Sequence, residues 1–521
     1  MDLPFPTHRF LRSRTTKWLF ALCFLLCIGA AAYGAYREFA YLQVPRYTLT
    51  DPHNHVHTVM LNDQGFSPKD IVILKGDTVT FRSSVQKPFW PASNDHPDHT
   101  IYPEFDPKRL IMPSETWSFT FDKLGSWGYH NHVNPNMLGS VTVITQSQVG
   151  TPIAIEKPSV DNCKPLQVEQ KQQCWEHQLE LMLAQQGLPA AFDFFVTLYN
   201  TEPEIPKECH GWGHVLGSAA YKQYKETGVL VIRPEASYCG YGYFHSFIGA
   251  MVEDTGGFDG ALEFCAQAEK VLGSELDPSL VRSNCTHGVG HGTSAWLLDD
   301  PENWGHFQKV VDQGSTVCKK LFTETADKQN CFDGVFNEVA LDLFNDHYDF
   351  SLENYMNTND PYWECQEQQD ELKTACYLEI SGLFWKLFNL DLDAAMHYSV
   401  THTQDLKERG PDIVARIAAD WIQFDIVNNS FERNVKACRS IPSFLFFPCF
   451  DGIINGFLSH GNPADLHDKA FSFCAASYLT ADERDNCYAA TLSSLKFRYT
   501  KAQMAVACAA VPDAYKQNCG S

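Results

Sequence analysis

The chain of 521 residues predicts a multidomain protein: an N-terminal transmembrane helix, an all-β sandwich, and an all-α, disulfide-stapled helical repeat (solenoid-like) domain. Three observations predict it. An uncharged apolar run fills residues 18–36, strand-like alternation fills 47–145, and a cysteine-headed motif recurs about every 46 residues in 167–521. Residues 1–17 then form a basic cytoplasmic segment, and the polar, proline-bearing 146–166 a linker.

The apolar run Trp18–Tyr36 (WLFALCFLLCIGAAAYGAY) has the length of a bilayer span, and His8, Arg9, Arg12, Arg14 and Lys17 before it belong on the cytoplasmic side. It reads as a signal-anchor. A competing reading, a cleaved signal peptide, rests on the small residues at Gly29–Ala32. On either reading the bulk of the chain is expected on the extracytoplasmic (periplasmic or extracellular) side, and the anchor makes it a single-pass protein of the cell membrane. Cysteine usage agrees with export: beyond Cys23 and Cys27 in the apolar run, sixteen cysteines lie between Cys163 and Cys519.

Composition narrows the function. An apolar content of 44% excludes wholesale disorder, and a net charge of −23 excludes nucleic acid as a partner, since phosphate requires a basic face. No Gly-X-Ser-X-Gly, P-loop or Rossmann glycine motif is present, so hydrolase, NTPase and dehydrogenase chemistry find no nucleophile or phosphate cradle.

Within 47–145 the informative stretch is Gly125–Val143, GSWGYHNHVNPNMLGSVTV. His130 and His132, at alternating positions of an extended segment, place two imidazoles on one side, and Met137 returns from the following turn as a soft donor. Pro135 and Gly139 fit that turn, and Ser140–Ile144 reads as the strand leaving it. Together with GFSPKDIVILKGDTVTFRSS (Gly65–Ser84), the segment Val56–Ile144 resembles a cupredoxin. The resemblance implies a Greek-key sandwich and one copper ion. Where blue copper members carry Cys after the tyrosine of the last loop, this chain has Tyr129 followed by His130; a blue type 1 centre is therefore not expected, and a type 2-like Cu(II) or a Cu(I) site is. The resemblance also implies a histidine from the upstream loop Ser93–Pro107, either His96 or His99. Earlier, His53, His55 and His57 share one face of a strand and read as an exposed stripe.

From Gln167 onward the apolar spacing turns helical: Trp175–Gln186, Ala190–Tyr199, Gly260–Leu272, Ile413–Val427 and Leu495–Ala505. The repeat is CGYGYFHSF at Cys239, CTHGVGHGT at Cys285, CFDGVFNEV at Cys331 and CYLEISGLF at Cys376, spaced 46, 46 and 45 residues, then CFDGIINGF at Cys449 and CYAATLSSL at Cys487. CHGWGHVLG at Cys209 is a relative out of frame by one, and a cysteine-free region after Cys376 has room for a degenerate unit. The pattern predicts a helix start whose glycine admits a close neighbour and whose cysteine is tied to the preceding helix. The expected pairs are Cys265 with Cys285, Cys318 with Cys331, Cys365 with Cys376, Cys438 with Cys449, Cys474 with Cys487 and Cys508 with Cys519. Closing a ~15-residue loop stabilises by roughly 3 kcal/mol in the chain-entropy treatment.

The repeats carry a second candidate metal set. His210 and His214 are four apart, as are His287 and His291, so each pair shares a helix face, and His245 takes the repeat position of His291. Asn337 and Asn455 continue that row, with Asp333, Glu338 and Asp451 as neighbouring carboxylates. The competing expectation is structural: the row hydrogen-bonds the adjacent unit. No CXXCH motif is present, which excludes covalent c-type haem.

These readings point to a membrane-anchored, extracytoplasmic copper-binding protein acting in copper delivery or storage or in electron transfer, whose helical domain docks a protein partner. The alternative is a copper-dependent oxidoreductase. Its His-X-His site, like those of multicopper oxidases, would be completed by oligomerisation or by histidines of the helical domain.

Overall fold

A computed structural model describes residues 47–521 apart from 95–98, 100–101, 152–156, 167, 203–208, 240, 275, 299, 346–354, 356, 358, 404–408, 426–430, 461–465, 497, 500 and 520–521. Residues 1–46, where the basic segment and the anchor are expected, and His96 lie outside the described residues, among which no helix is long and apolar enough to cross a membrane.

Period-two alternation builds the first domain. Its strands are β1 (Val56–Asn62), β2 (Gly65–Ser67), β3 (Asp70–Leu74), β4 (Thr78–Ser83), β5 (Pro91–Ser93), β6 (Thr116–Thr120), β7 (Gly125–Asn131) and β8 (Asn134–Ile144). They form two mixed sheets, ordered β2-β1-β4-β6 and β3-β8-β7-β5, in which β1 runs parallel to β4 and β3 parallel to β8. Alternate residues of each sheet face one core: Val59, Leu61, Val79 and Phe81 from the first, Ile71, Ile73, Tyr129, Val141 and Val143 from the second. Phe81, Phe105 and Tyr129 pack there at ring separations of 5.3–5.7 Å, joining β4, the loop before β6 and β7.

The helical domain begins with α1 (Val168–Gln186), α2 (Leu188–Thr201), α3 (Cys209–Thr227), α4 (Gly242–Thr255), α5 (Asp259–Leu272), α6 (Pro278–Leu298), α7 (Phe307–Leu321) and α8 (Thr325–Asn345). It continues through α9 (Trp363–Gln366), α10 (Asp370–Ser381), α11 (Phe384–Leu387), α12 (Leu392–His402), α13 (Gly410–Asp425) and α14 (Glu432–Ser440). The last four are α15 (Ser443–His460), α16 (Leu466–Cys474), α17 (Ala481–Lys496) and α18 (Lys501–Ala510). An inner row packs in sequence: α3 on α4, then α6, α8, α10, α13, α15 and α17, with the intervening helices outside it. The degenerate unit is α12 and α13, which keeps its place in the row without a staple.

All six expected disulfides form, five of them joining an outer helix to the next inner one. Two more were not foreseen. Cys163–Cys174 ties the end of the linker to α1, and Cys209–Cys239 ties the start of α3 to the loop before α4. Cys174 heads no glycine motif, and Cys209–Cys239 closes a loop of 30 residues, longer than any of the foreseen pairs.

Three expectations are corrected. The motif starts its helix only in the first units, where Cys209 opens α3 and Cys239 lies just before α4; Cys285, Cys331, Cys376, Cys449 and Cys487 lie two turns into α6, α8, α10, α15 and α17. Its glycine is needed where inner helices cross, and helices cross near their middles. A β-carbon on Gly334 would strike the carbonyl oxygen of His287, and one on Gly290 that of Cys331, so α6 and α8 touch backbone to backbone. Leu495–Ala505 is not one helix, because α17 ends at Lys496, and Tyr499 turns inward so that its hydroxyl meets His467 Nδ1 at 3.1 Å. Finally, the array does not stay open as a solenoid would. Lys501 Nζ donates to Ser274 O at 3.1 Å, and Arg498 faces the phenols of Tyr199 and Tyr241, so the last unit closes on the first ones. A sequence period fixes the unit; closure depends on the small rotation between units, which the period does not encode.

The two domains touch. Val133, in the β7–β8 turn, and Leu110 pack into the helical core, and Asn94 Nδ2 donates to Glu180 Oε1 of α1 at 3.2 Å. Burial pushes Glu180 up to about 7, against the pull of the Asn94 bond.

Candidate metal centre

The β-ladder places the first two imidazoles. His130 pairs with Ala92 across β5 and β7, and the register slips between His130 and Asn131, so the chain kinks as it enters the turn holding His132. The turn is pinned by His132 N donating to Trp90 O at 2.7 Å and Trp90 N donating to Asn131 Oδ1 at 2.9 Å. The third imidazole, His99, arrives on a loop with φ of 54°, a left-handed backbone rare for a histidine.

The three rings converge. Ring centroids of His99 lie 5.1 Å from His130 and 4.8 Å from His132, and one ring nitrogen from each of the three lies within 4.8 Å of the other two. All three are buried, at 4%, 2% and 0% exposure, and Val133 beside them seats the turn against the helical domain. The structure therefore brings together His99, His130 and His132. Met137 sits partly buried on β8 against the sandwich core, with its sulfur 4.0 Å from Asn131 Nδ2.

Sequence reasoning missed the group that orients the set. His99 Nδ1 donates to Asp106 Oδ2 at 2.9 Å, and since a carboxylate only accepts, the lone pair is left on His99 Nε2, which lies 3.0 Å from His132 Nδ1. Asp106 also accepts from Trp90 Nε1 at 2.7 Å and Lys108 N at 2.7 Å. Burial lifts its carboxyl, but these bonds, His99 foremost, outweigh burial and hold it below the usual carboxylate range. Trp90 lies over His132 at 4.4 Å. The sequence signal was there: Asp106 falls in the same upstream loop, seven residues after His99.

The early stripe also has a partner that sequence proximity hid. Asp77, from the β3–β4 turn, accepts from His55 Nδ1 at 2.6 Å and His57 Nε2 at 3.1 Å. His53 and His55 are exposed as expected of the stripe, but His57 is buried. Burial raises the Asp77 carboxyl, and the two histidines with Leu74 N bring it below its ordinary value.

In the helical ring, His210 and His214 lie on α3, His245 on α4, and His287 and His291 on α6. One nitrogen each of His210, His214 and His245 lies within 4.8 Å of the other two, while His245 stacks on His291 at 4.6 Å and lies 5.3 Å from His287. Burial holds His210 and His245 below the ordinary histidine range and pushes His287 down to about 4. Of the carboxylates, Glu338 reaches His291 Nε2 at 2.9 Å. Burial pushes Asp333 up to about 7, and Asp451 lies in a later unit, accepting from Asn486 at 2.8 Å. The polar row continues as expected: Asn337 donates to Glu379 at 2.8 Å, Arg416 bridges Glu379 and Asp420 at 3.4 and 2.8 Å, and Asn455 accepts from Ser494 at 3.2 Å.

No family model and no curated protein matches the chain. Among solved structures it is similar to a purple cupredoxin from Nitrosopumilus maritimus, at 21% identity over 17% of this chain and 99% of that one, with a TM-score of 0.16. An amicyanin mutant in its reduced Cu(I) form aligns at 16% identity over 20% of this chain and 95% of its own, with a TM-score of 0.15. A fern plastocyanin mutant aligns at 18% identity over 17% of this chain and 99% of its own, with a TM-score of 0.15.

Proposed function

We propose that this is a membrane-anchored, extracytoplasmic copper-binding protein of cupredoxin-like build, which holds one copper ion in the sandwich for storage and delivery. The observation that carries the reading is the convergence of His99, His130 and His132, with the lone pair of His99 Nε2 set toward the cluster by Asp106. Three imidazoles suit Cu(II), zinc and other borderline ions; a thioether on the adjoining strand, Met137, tilts the set toward copper, at which affinity along the first row also peaks.

The residues fit such an ion and fit a blue centre poorly. Every cysteine among the described residues is in a disulfide, so no thiolate is at hand. Bound copper would supply one-electron chemistry or be passed on as cargo. What the chain does is position and exclude water: Asp106 fixes the His99 tautomer, Trp90 covers His132, and Val133 seals the turn against the helical ring. Three ligand rings with almost no exposed edge favour holding an ion over rapid exchange of electrons with a partner.

The parallel crossings β1–β4 and β3–β8 are consistent with the Greek-key path of that family. Eight disulfides support an oxidising, extracytoplasmic location. The helical ring would cover the site and dock a protein partner, for which the exposed Phe444 and Phe447 on α15 offer apolar contact.

Metal analysis and EPR on the purified chain test the reading. His130→Ala with His132→Ala is expected to abolish copper in the sandwich and its nitrogen-coordinated Cu(II) signal; a strong blue absorption band in the unmodified chain would refute the assignment. Asp106→Asn should keep the three ligands yet lower copper affinity about 10- to 100-fold, the usual effect of removing a carboxylate behind a ligating histidine, as read by competition with a chromogenic chelator.

A further inference from the structure

We propose that His210, His214 and His245 form a second metal centre, inside the helical ring, which takes a divalent first-row transition ion on three imidazole nitrogens and leaves a further position to water. The first support is a fixed tautomer. His210 Nδ1 lies 2.7 Å from the carbonyl oxygen of Cys239, which can only accept, so His210 carries its proton there and presents a lone pair at Nε2. That carbonyl is itself held: Cys239 is bridged to Cys209, the residue before His210, and its backbone is left-handed at φ 58°.

The second support is spacing. His214 Nε2 lies 3.1 Å from His210 Nε2, and two nitrogens bound tetrahedrally to one ion at about 2.1 Å stand roughly 3.4 Å apart. His245 completes the set from the next inner helix, with one nitrogen within 4.8 Å of both. Its Nδ1 is buried without a hydrogen-bond partner among the described residues, although the ring is only 6% exposed. A buried polar atom left unpaired costs about 1–3 kcal/mol, so a packing role alone does not account for it.

The third support comes from the repeat. Where α8 and α15 present Asn337 and Asn455 at the position of His245 and His291, the asparagines bond to Glu379 and Ser494, and the ring is built as well with them as with histidine. Histidine is therefore not what the architecture requires at that position. The five imidazoles are confined to α3, α4 and α6, next to one another, as a site would be and a structural repeat would not.

The test is a zinc stoichiometry on four forms of the full chain: unmodified, His130→Ala/His132→Ala, His245→Asn, and all three substitutions together. His245→Asn is chosen because asparagine already serves at that position in two other units. Expected are two ions per chain, one, one and none. Loss of all zinc from the His130→Ala/His132→Ala form overturns the ring site and leaves the sandwich proposal standing. One ion in the unmodified chain, retained by that form and lost by His245→Asn, overturns the sandwich proposal and leaves the ring site. As a check independent of folding yield, zinc should raise the Tm of the His130→Ala/His132→Ala form, and Cu(II) added to it should show EPR coupling to three nitrogens; no Tm rise and no nitrogen coupling also overturn the ring site.

Discussion

Gly334→Ala is expected to destabilise the protein by about 2–3 kcal/mol in chemical denaturation, although alanine is the better helix former by roughly 1 kcal/mol. The added β-carbon would collide with the His287 carbonyl, which is part of α6 and cannot rotate away; α6 and α8 must separate, and Gly290 against Cys331 O loses its fit on the other side of the same crossing. Gly211→Ala in α3 provides the control. It is exposed and a β-carbon there meets nothing, so the same substitution should stabilise by about 0.5–1 kcal/mol. Opposite signs from one chemical change separate close helix approach from helix propensity. A stabilising Gly334→Ala would show that the inner helices are not in contact at that point.

Arg416→Met should cost about 3–5 kcal/mol, because it leaves Glu379 without its cation in the middle of the polar row. Glu379 is 3% exposed in its side chain and takes Arg416 on one oxygen and Asn337 on the other. The carboxylates of Asp420 and Glu379 raise Arg416 above its ordinary value, so the guanidinium keeps its charge. Adding Glu379→Gln to Arg416→Met is expected to recover most of the loss, since the expensive element is the unpaired buried carboxylate and not the missing attraction. Denaturation midpoints of the two single variants and the double variant form the cycle that decides it. An additive double variant would mean that the two groups do not act as a pair.

What the sequence made legible followed chemistry that is local in the chain. His130 and His132 sit two residues apart where a strand of plain alternation, β7, runs into its turn, and five of the six foreseen disulfides followed from a cysteine that heads the same motif. Asp106 was hidden because its role depends on the loop folding back so that His99 and the carboxylate meet, and Asp77 because it reaches His55 and His57 across a parallel pairing, β1 on β4. Between His96 and His99 the sequence left the choice open; among the described residues His99 joins the cluster, through a left-handed backbone that no propensity favours, while His96 lies outside them. The placement of the glycine motif at helix crossings, rather than at helix starts, was equally beyond a reading that sees spacing but not partners.

The return of Lys501 and Arg498 to the first units bears on how the helical domain comes apart. A linear stack frays from whichever end is weaker, losing units one at a time with only nearest-neighbour penalties. A circle offers no loose end: the first unit to detach gives up two interfaces at once, and the rest lose the constraint that closed them. Melting of this domain should therefore be concerted, with the histidine-bearing helices surviving as long as any part of the circle does.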